Sequence, residues 1–483
     1  MKVLLSFASG PLAFLVLYLA PYEGLQPVGR LVLSTFAWMV LWWMTQPVPW
    51  GITALLPLLL FPAINVMNLT QTVGLYGQNI FFWIWGTILV GYTMERHGLA
   101  KRFALWFLSL RIVSGSARRM LFGFMLVTGL ISTHVSDAAT VAMMIPVAIS
   151  LSGFVRSVQG TAGSAKTNVG SFLVLGAMYA SVAGGIATIA GIPHNALSVA
   201  LLEKFAGRSL SWFNWMMAGV PAFLVALLVF YFVLNWFFPP ETDTIPGGEA
   251  FIRQERAKLG PLSAGERGAL VVFFTMVGLF TVPVILSYAL GSEHPVSGWL
   301  ARSLSTFSVP PLMLLIMFTY PINWRERKFL LSWKESTEHA PWNIMFMCAS
   351  AVAVTDLLAR NGFVEWMGAG IQQLGLGPVT LTYVAAYLMS FATNLVSGTA
   401  AVSLLGTILI PAAQQIGFNP ASMAMLLSNM GVGLMLPWAG AVAGTTFASG
   451  EVDMRNMIRV GFVAEMIFAF LVATVHLLFS PIL

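Results

Sequence analysis

The chain has 483 residues, of which 58% are hydrophobic and 9% are charged, and its mean hydropathy is +0.83. This composition excludes a water-soluble globule with a charged surface and predicts a membrane protein that crosses the bilayer many times. The net charge of +6 comes from 24 Lys and Arg against 18 Asp and Glu, an excess that in membrane proteins marks cytoplasmic loops rather than nucleic-acid binding.

Apolar segments long enough to cross a hydrocarbon core recur along the whole chain. The predicted spans are 3–20, 31–48, 50–68, 120–153, 170–203, 212–238, 268–290, 302–320, 380–412, 420–447 and 458–481. The first span could pass for a signal peptide, but no small-residue cleavage site follows it, so we interpret it as a retained helix. Residues 75–98 and 339–362 are apolar but interrupted by small residues, which fits either a single helix or a re-entrant hairpin.

Basic residues are concentrated between two apolar segments near the first third of the chain. They are Arg96, Lys101, Arg102, Arg111, Arg118 and Arg119. Their positions predict a cytoplasmic connection, and the basic cluster at 325–328 is a second candidate; topology explains both better than lipid recognition. The single cysteine, Cys348, excludes a disulfide within the chain, and no Cys and His cluster has zinc spacing, so we expect neither a structural metal nor a cofactor.

One extended polar segment, residues 239–267, divides the chain in two. We predict N-terminal helices over 1–48, a first repeat over 49–238, this segment as a linker, and a second repeat over 268–483. Tandem halves are typical of secondary transporters, whose site lies at the membrane midplane between the repeats.

Two short matches support the duplication. "MERHGLAKRF" (94–103) aligns with "LARNGFVEWM" (358–367) at an offset of 264 residues, and "STHVSDAA" (132–139) aligns with "TNLVSGTA" (393–400) at an offset of 261. The matches have the same order and nearly the same offset, which favours a repeat over coincidence.

Both copies of the second match place small and hydroxylic residues in the middle of a long apolar segment. We predict unwound breaks there, within 120–153 and 380–412, because irregular backbone at membrane depth is tolerated where it lines a protein cavity. Hydroxyl and carbonyl oxygens suit a cation, and the ends of half-helices suit an anion. The alternative is that the small residues only pack helices together. Because the two clusters recur at the repeat offset, a functional role is favoured over packing alone.

Asp137 is the sharpest feature of the first break, because a carboxylate at the bilayer centre costs at least about 2.5 kcal/mol on insertion scales unless it is protonated or paired. Three roles remain open: a cation ligand, a proton carrier, or a structural partner for His134 or His194. Two other acidic residues are less informative. Asp356 is one helical turn from Arg360 and fits a simple pair, and Glu465 has no evident partner.

A third apolar segment, Gly184 to Leu202, is interrupted by Gly, Pro, His and Asn. A helix kink explains this pattern; the alternative is a further unwound loop that faces the break at Asp137.

From Trp50 to the C-terminus the sequence resembles the divalent-anion/sodium symporters, the INDY-type carriers of dicarboxylates, citrate and sulfate. The blocks that carry the resemblance are 52–66, 94–105, 136–151 and 184–196. The resemblance implies an all-α polytopic fold of about 11 transmembrane helices plus two re-entrant hairpins in inverted repeats. It also implies a homodimer that works by an elevator-type movement.

The same resemblance assigns candidate site residues through a Ser-Asn-Thr triplet in each repeat, a preceding hydroxyl and a Pro-Pro-Asn motif. The implied substrate contacts are Ser136, Asp137, Ala138, Pro193, Asn195, Ser397, Gly398 and Thr399. The implied ion ligands are Ser132, Ser136, Asp137, Gly191, Thr393 and Ser397.

Three departures from that pattern are informative. The triplets read Ser136-Asp137-Ala138 and Ser397-Gly398-Thr399, and the proline motif is present once, as Pro193-His194-Asn195. The asparagine amide is lost from both triplets, so the resemblance does not by itself assign citrate or succinate as the substrate. A charged Asp137 would repel a dianion unless a cation or proton neutralises it, so we hypothesise that Asp137 is coupled to the transported ion.

The sequence therefore predicts a secondary active transporter of small, dicarboxylate-like anions, coupled to sodium or protons, in the bacterial inner membrane. A cation-independent exchanger, in which His134 or His194 supplies the positive charge, is an alternative. An ion channel would not need the duplication, and an enzyme would need a convergent acid/base or metal set, for which only Asp137 qualifies.

Overall fold

The computed structural model describes residues 2–21, 24–114, 116–158, 166–244, 247–291, 294–304, 306–373 and 375–483. The helices that precede the polar linker are α1 (Lys2–Leu19), α2 (Pro27–Thr45), α3 (Trp50–Thr53), α4 (Leu56–Ala63), α5 (Leu69–Gly74), α6 (Asn79–Arg96), α7 (Leu99–Leu108), α8 (Arg111–Ser114), α9 (Ala117–Ser132), α10 (Asp137–Val158), α11 (Asn168–Gly185), α12 (Pro193–Ala206) and α13 (Trp212–Phe237).

The remaining elements are α14 (Gly248–Ala257), α15 (Ala264–Leu290), α16 (Pro295–Ser303), α17 (Val309–Thr319), β1 (Pro321–Asn323), β2 (Lys328–Phe329), α18 (Trp333–His339), α19 (Trp342–Arg360), α20 (Phe363–Gln373), α21 (Pro378–Leu395), α22 (Gly398–Gln415), α23 (Pro420–Asn429), α24 (Ala441–Ala448) and α25 (Met454–Phe479). A 3₁₀ turn at Ser480–Ile482 follows. The two short strands pair antiparallel.

The predicted all-α polytopic membrane fold is confirmed. Within the described ranges, eight helices are long and apolar enough to cross a bilayer, and three shorter apolar helices accompany them. Large hydrophobic side chains such as Phe232 and Trp236 are exposed on these helices, as expected where lipid rather than water is the neighbour. Residues 75–98 and 339–362, left open as helix or hairpin, each contain one continuous helix, α6 and α19. Cys348 is buried in the middle of α19.

Local sequence explains where many helices begin. Proline occupies the first turn of α2, α12, α16, α21 and α23, where its missing N–H would have no partner in any case. Serine caps others: the Ser263 side chain accepts the Glu266 N–H, and Glu266 reaches back to the Ser263 N–H. This reciprocal capping box defines the start of α15.

The linker is a packed element. It contains α14, and α15 begins inside its predicted range at Ala264, while residues 245 and 246 lie outside the described part. Arg102 of α7 bonds the Glu266 carboxylate at 2.5 Å and the Gly260 carbonyl at 2.8 Å. The polar residues that set this segment apart in the sequence therefore attach it to the first half.

The two halves present the same order of elements. The series α6–α7, α9–α10, α11–α12 and α13 is followed, after the linker, by α19–α20, α21–α22, α23–α24 and α25. Packing between the halves is reciprocal, because α12 lies against α22 and α23 while α24 lies against α10 and α11. Helices α11 and α23 are buried along almost their entire lengths. A two-fold relation between the halves would produce this arrangement.

Candidate functional site

The first predicted break is present between α9 and α10, at residues 133–136. At its edge the Ser132 hydroxyl donates to the Ser181 carbonyl of α11 at 2.6 Å, and the Thr188 hydroxyl donates to the Thr133 carbonyl. The Ser136 hydroxyl accepts the Ala139 N–H at 3.4 Å and so caps α10. These bonds fasten the unwound backbone to α11 and to the turn that follows it.

Asp137 is the first residue of α10 and is 7% exposed. Its Oδ1 accepts the Ala138 N–H at 2.8 Å. Among the described residues no hydrogen bond joins it to either of the two histidines proposed as partners. His134 instead bonds the Thr133 hydroxyl through Nδ1 at 2.6 Å. The carboxylate thus lies at the N-terminal end of α10, and no basic side chain forms an ion pair with it in the described part of the chain.

The α11–α12 turn, residues 186–192, is the further unwound loop that the sequence left as an alternative to a kink. Asn195, predicted as a substrate contact, is fully engaged by protein groups. Its Nδ2 donates to the Gly185 and Thr188 carbonyls at 2.9 and 2.8 Å, and its Oδ1 accepts the Ser428 hydroxyl at 2.7 Å. A β-carbon at Gly191 would lie 2.3 Å from the Gly185 carbonyl oxygen, so the turn closes only with glycine there.

The second predicted break lies between α21 and α22, at Val396 and Ser397. The Ser397 hydroxyl accepts the Ala400 N–H at 3.3 Å and caps α22, as Ser136 caps α10. The Thr393 hydroxyl donates back to the Ser390 carbonyl of its own helix at 3.0 Å. A β-carbon at Gly398 would lie 1.6 Å from the Gly431 carbonyl oxygen, so this packing requires glycine at the altered triplet position.

Both breaks meet the α11–α12 turn. Ser136 and Pro193 line one narrow cleft together with Trp83 and Thr87 of α6, and this cleft has no room for a water molecule. On the other side, a β-carbon at Gly398 would lie 3.2 Å from Cε1 of His194. The N-terminal ends of α10, α12 and α22 therefore converge, and each carries a partial positive charge of about half a unit.

The structure separates the predicted residues into two groups. One group lies at the convergence, either immediately before the first residue of α10 or α22 or in the first turn of α10, α12 or α22. Its members are Ser136, Asp137, Ala138, Pro193, Ser397, Gly398 and Thr399. The others are Ser132 and Thr393, in the preceding helices α9 and α21, Gly191 in the α11–α12 turn, and Asn195 of α12, whose side chain bonds protein groups.

Glu465 is the polar residue whose surroundings the sequence did not reveal. It lies in α25, is 1% exposed, and accepts the Leu434 N–H at 2.6 Å. The Asn394 amide donates to both of its oxygens at 2.9 and 2.8 Å, and Ser390 donates at 3.3 Å. Ser390 and Asn394 are four residues apart and share a helix face, which is a visible signal, but nothing in the sequence connects that face to a carboxylate 71 residues later.

A much larger cavity, about 830 Å³, lies between the α12–α13 region and α15–α16. Its lining includes Glu203, Ser211, Trp212 and Phe280. None of the predicted site residues lines it, so it lies apart from the three helix ends.

Comparison with known proteins decides the family. Residues 6–483 match the family described as the sodium:sulfate symporter transmembrane region. The chain belongs to the sodium:sulfate symporter family. This assignment confirms the resemblance found in the sequence and agrees with a transporter rather than an enzyme.

Two curated relatives of this chain are sodium-dependent dicarboxylate transporters named SdcS. The protein from Staphylococcus saprophyticus is 27% identical over 485 residues, covering 98% of this chain and 91% of the relative. The protein from Staphylococcus aureus strain RF122 is 26% identical over 493 residues, covering 99% and 91%.

Two solved structures share the fold of this chain at low sequence identity. MtrF of Neisseria gonorrhoeae has a TM-score of 0.53 and 10% identity, with 96% of each chain covered. The YdaH transporter of Alcanivorax borkumensis has a TM-score of 0.50 and 11% identity, with 83% of this chain and 84% of the other covered. At this level of identity the likeness concerns the fold alone.

Proposed function

We propose that the protein is a secondary active transporter of small dicarboxylate-like anions across the bacterial inner membrane, driven by a sodium or proton gradient. The observation that carries the proposal is the convergence of the N-terminal ends of α10, α12 and α22. Helix N-termini offer unpaired N–H groups and positive dipole ends to an anion. The SdcS relatives, which are sodium-dependent dicarboxylate transporters, support the substrate class and sodium.

Asp137 supports coupling to a cation. A dianion beside this carboxylate would place three negative charges together in a poorly hydrated site, where Coulomb repulsion is strong. A sodium ion held by Asp137 and the carbonyl and hydroxyl oxygens of the first break, near Ser132, Ser136 and Gly191, would remove that repulsion. A proton on Asp137 would do so as well.

The second ion site proposed at Thr393 and Ser397 differs from the first, because Gly398 stands at the position of Asp137 and no second proline motif is present. The closed cleft at Ser136 fits a state from which the breaks must move to admit substrate. We propose that an elevator-type movement of one helical group in a homodimer provides this alternating access. Ion and substrate together would favour the movable state more than either alone.

The test is uptake of labelled succinate into proteoliposomes under three conditions: an inward sodium gradient, an inward proton gradient, and unlabelled internal succinate without either gradient. Acceleration by one gradient identifies a symporter and its ion. Acceleration by internal succinate alone identifies a cation-independent exchanger and contradicts ion coupling. Absence of succinate uptake in all three conditions contradicts the dicarboxylate assignment and directs the search to sulfate.

A further inference from the structure

His194 is a buried imidazole at the junction of the two halves. It is the second residue of α12 and is 4% exposed. A β-carbon at Gly431 would lie 2.5 Å from its Nε2, and one at Gly398 would lie 3.2 Å from its Cε1. Its ring therefore occupies the space that two glycines leave open.

The Nε2 atom of His194 makes no well-formed hydrogen bond among the described residues. The Ser428 carbonyl is within reach of the imidazole, but the contact lacks hydrogen-bond geometry at Nε2. A buried polar atom left without a partner destabilises the fold, and such atoms in native proteins call for an explanation. A ligand that arrives only part of the time is one such explanation.

The position of the ring suggests what the ligand is. Gly398 stands where the resembling family has an asparagine, and its packing against Gly431 leaves no space for an amide. The imidazole of His194 from α12 fills the space beside Gly398, with Cε1 toward Gly398 and Nε2 toward Gly431. It lies beside two helix N-termini that attract anions.

We propose that His194 is a specificity-determining residue that donates its Nε2–H to a carboxylate oxygen of the transported anion. This inference rests on the proposed function and assigns the substrate contact of the second tip to a residue of the first half. The movement that opens the cleft would also separate Nε2 from Gly431 and admit the carboxylate.

The experiment compares succinate uptake by wild type, His194→Ala, His194→Gln and His476→Gln in proteoliposomes. His476 is a matched control, because it is also a buried histidine but lies in α25 and bonds Asn429. We expect His194→Ala to raise KM about tenfold with a smaller change in kcat. His194→Gln retains an N–H donor and should stay within about threefold of wild type, and His476→Gln should leave KM unchanged.

A second measurement, the rise in apparent Tm caused by succinate, reports binding without transport. The His194→Ala protein should fold but gain less stabilisation than wild type at the same succinate concentration. An unchanged KM in His194→Ala, or a lower Tm without any loss of succinate-induced stabilisation, would show that His194 is only a packing residue. If wild type is neither stabilised by succinate nor transports it, the proposed function fails first, and the assignment of a carboxylate ligand to His194 fails with it.

Discussion

At the scale of single residues, the two altered triplets have different physical causes. Gly398 is dictated by packing, because the Gly431 carbonyl occupies the place of any side chain. Asp137 instead carries a carboxylate that accepts the Ala138 N–H at the start of α10. The first departure is therefore explained by the fold, and the second remains available for function.

Gly398→Ala should disrupt the second break. The added methyl carbon would lie 1.6 Å from a backbone oxygen, which forces α22 and the 430–440 segment apart. We expect uptake to fall at least about tenfold and the protein to lose about 1–3 kcal/mol of stability. Gly278→Ala in α15 is the matched control, since a β-carbon there meets no atom within 4 Å. Equal uptake and equal Tm in both variants would contradict the packing argument.

Asp137→Asn should change ion dependence more than stability. The Asn side chain still accepts the Ala138 N–H, so the start of α10 is retained. Loss of the negative charge should raise the coupling-cation concentration for half-maximal uptake by about tenfold, equivalent to about 1.4 kcal/mol.

Uptake by Asp137→Asn is measured over a range of sodium concentrations and of pH. Asp243→Asn, an exposed change in the linker, provides the control. Identical ion dependence in all three proteins would remove Asp137 from the coupling mechanism.

At the scale of elements, the α11–α12 turn and the corresponding segment between α23 and α24 are held by different means. In the first half, the Trp215 indole of α13 donates to the Ile186 carbonyl at the α11–α12 turn at 3.0 Å. In the second half, Glu465 of α25 accepts the Leu434 N–H in the segment between α23 and α24. Helix α13 thus donates a hydrogen bond to its neighbouring turn, whereas the corresponding helix α25 accepts one from its neighbouring segment.

Glu465→Gln should therefore weaken the attachment of α25 to the segment between α23 and α24. A carboxylate offers two acceptor oxygens to Asn394, Ser390 and Leu434, whereas an amide offers one and would turn its own NH₂ toward these donors. We expect a loss of about 2 kcal/mol, within the range for leaving buried groups unpaired. Ser390→Ala removes only the 3.3 Å bond and should cost under about 1 kcal/mol. Apparent Tm in detergent measures both, and a Glu465→Gln protein as stable as Ser390→Ala would show that the network is dispensable.

The elements were largely predictable, and their connections were not. The breaks at 133–136 and 396–397 follow from hydroxyl and glycine residues inside apolar runs, a local property that the sequence displays. The partners of Glu465, and the glycines that pack against His194, are contributed by segments far away in the chain. Such contacts depend on how the halves pack, and no periodicity or local motif encodes them.

At the scale of the whole molecule, buried polar contacts tie the halves to each other at several points. Arg156 of α10 pairs with Glu451, which precedes α25, at 3.0 Å, and the Glu451 carbonyl accepts the Ser171 hydroxyl of α11 at 2.9 Å. At α12, Lys204 lies 3.5 Å from Asp356 of α19, a carboxylate that also forms the predicted pair with Arg360 at 2.8 Å.

Glu451→Gln should destabilise the assembled halves. It removes the negative charge that Arg156 faces, and the loss of a charge-assisted hydrogen bond of this kind costs about 2 kcal/mol. The nearby pair of Lys166 and Asp453 is more exposed, so Asp453→Asn should cost at most about 1 kcal/mol. The apparent Tm of Glu451→Gln and of Asp453→Asn is measured in the same detergent. Equal losses of stability would mean that burial of the Arg156 pair is not what stabilises the contact.

The single thiol of the chain, Cys348, is buried in α19. A water-soluble maleimide therefore has no accessible cysteine to react with in the folded wild-type protein. The unmodified chain already provides the silent background that cysteine-accessibility mapping usually obtains by mutagenesis.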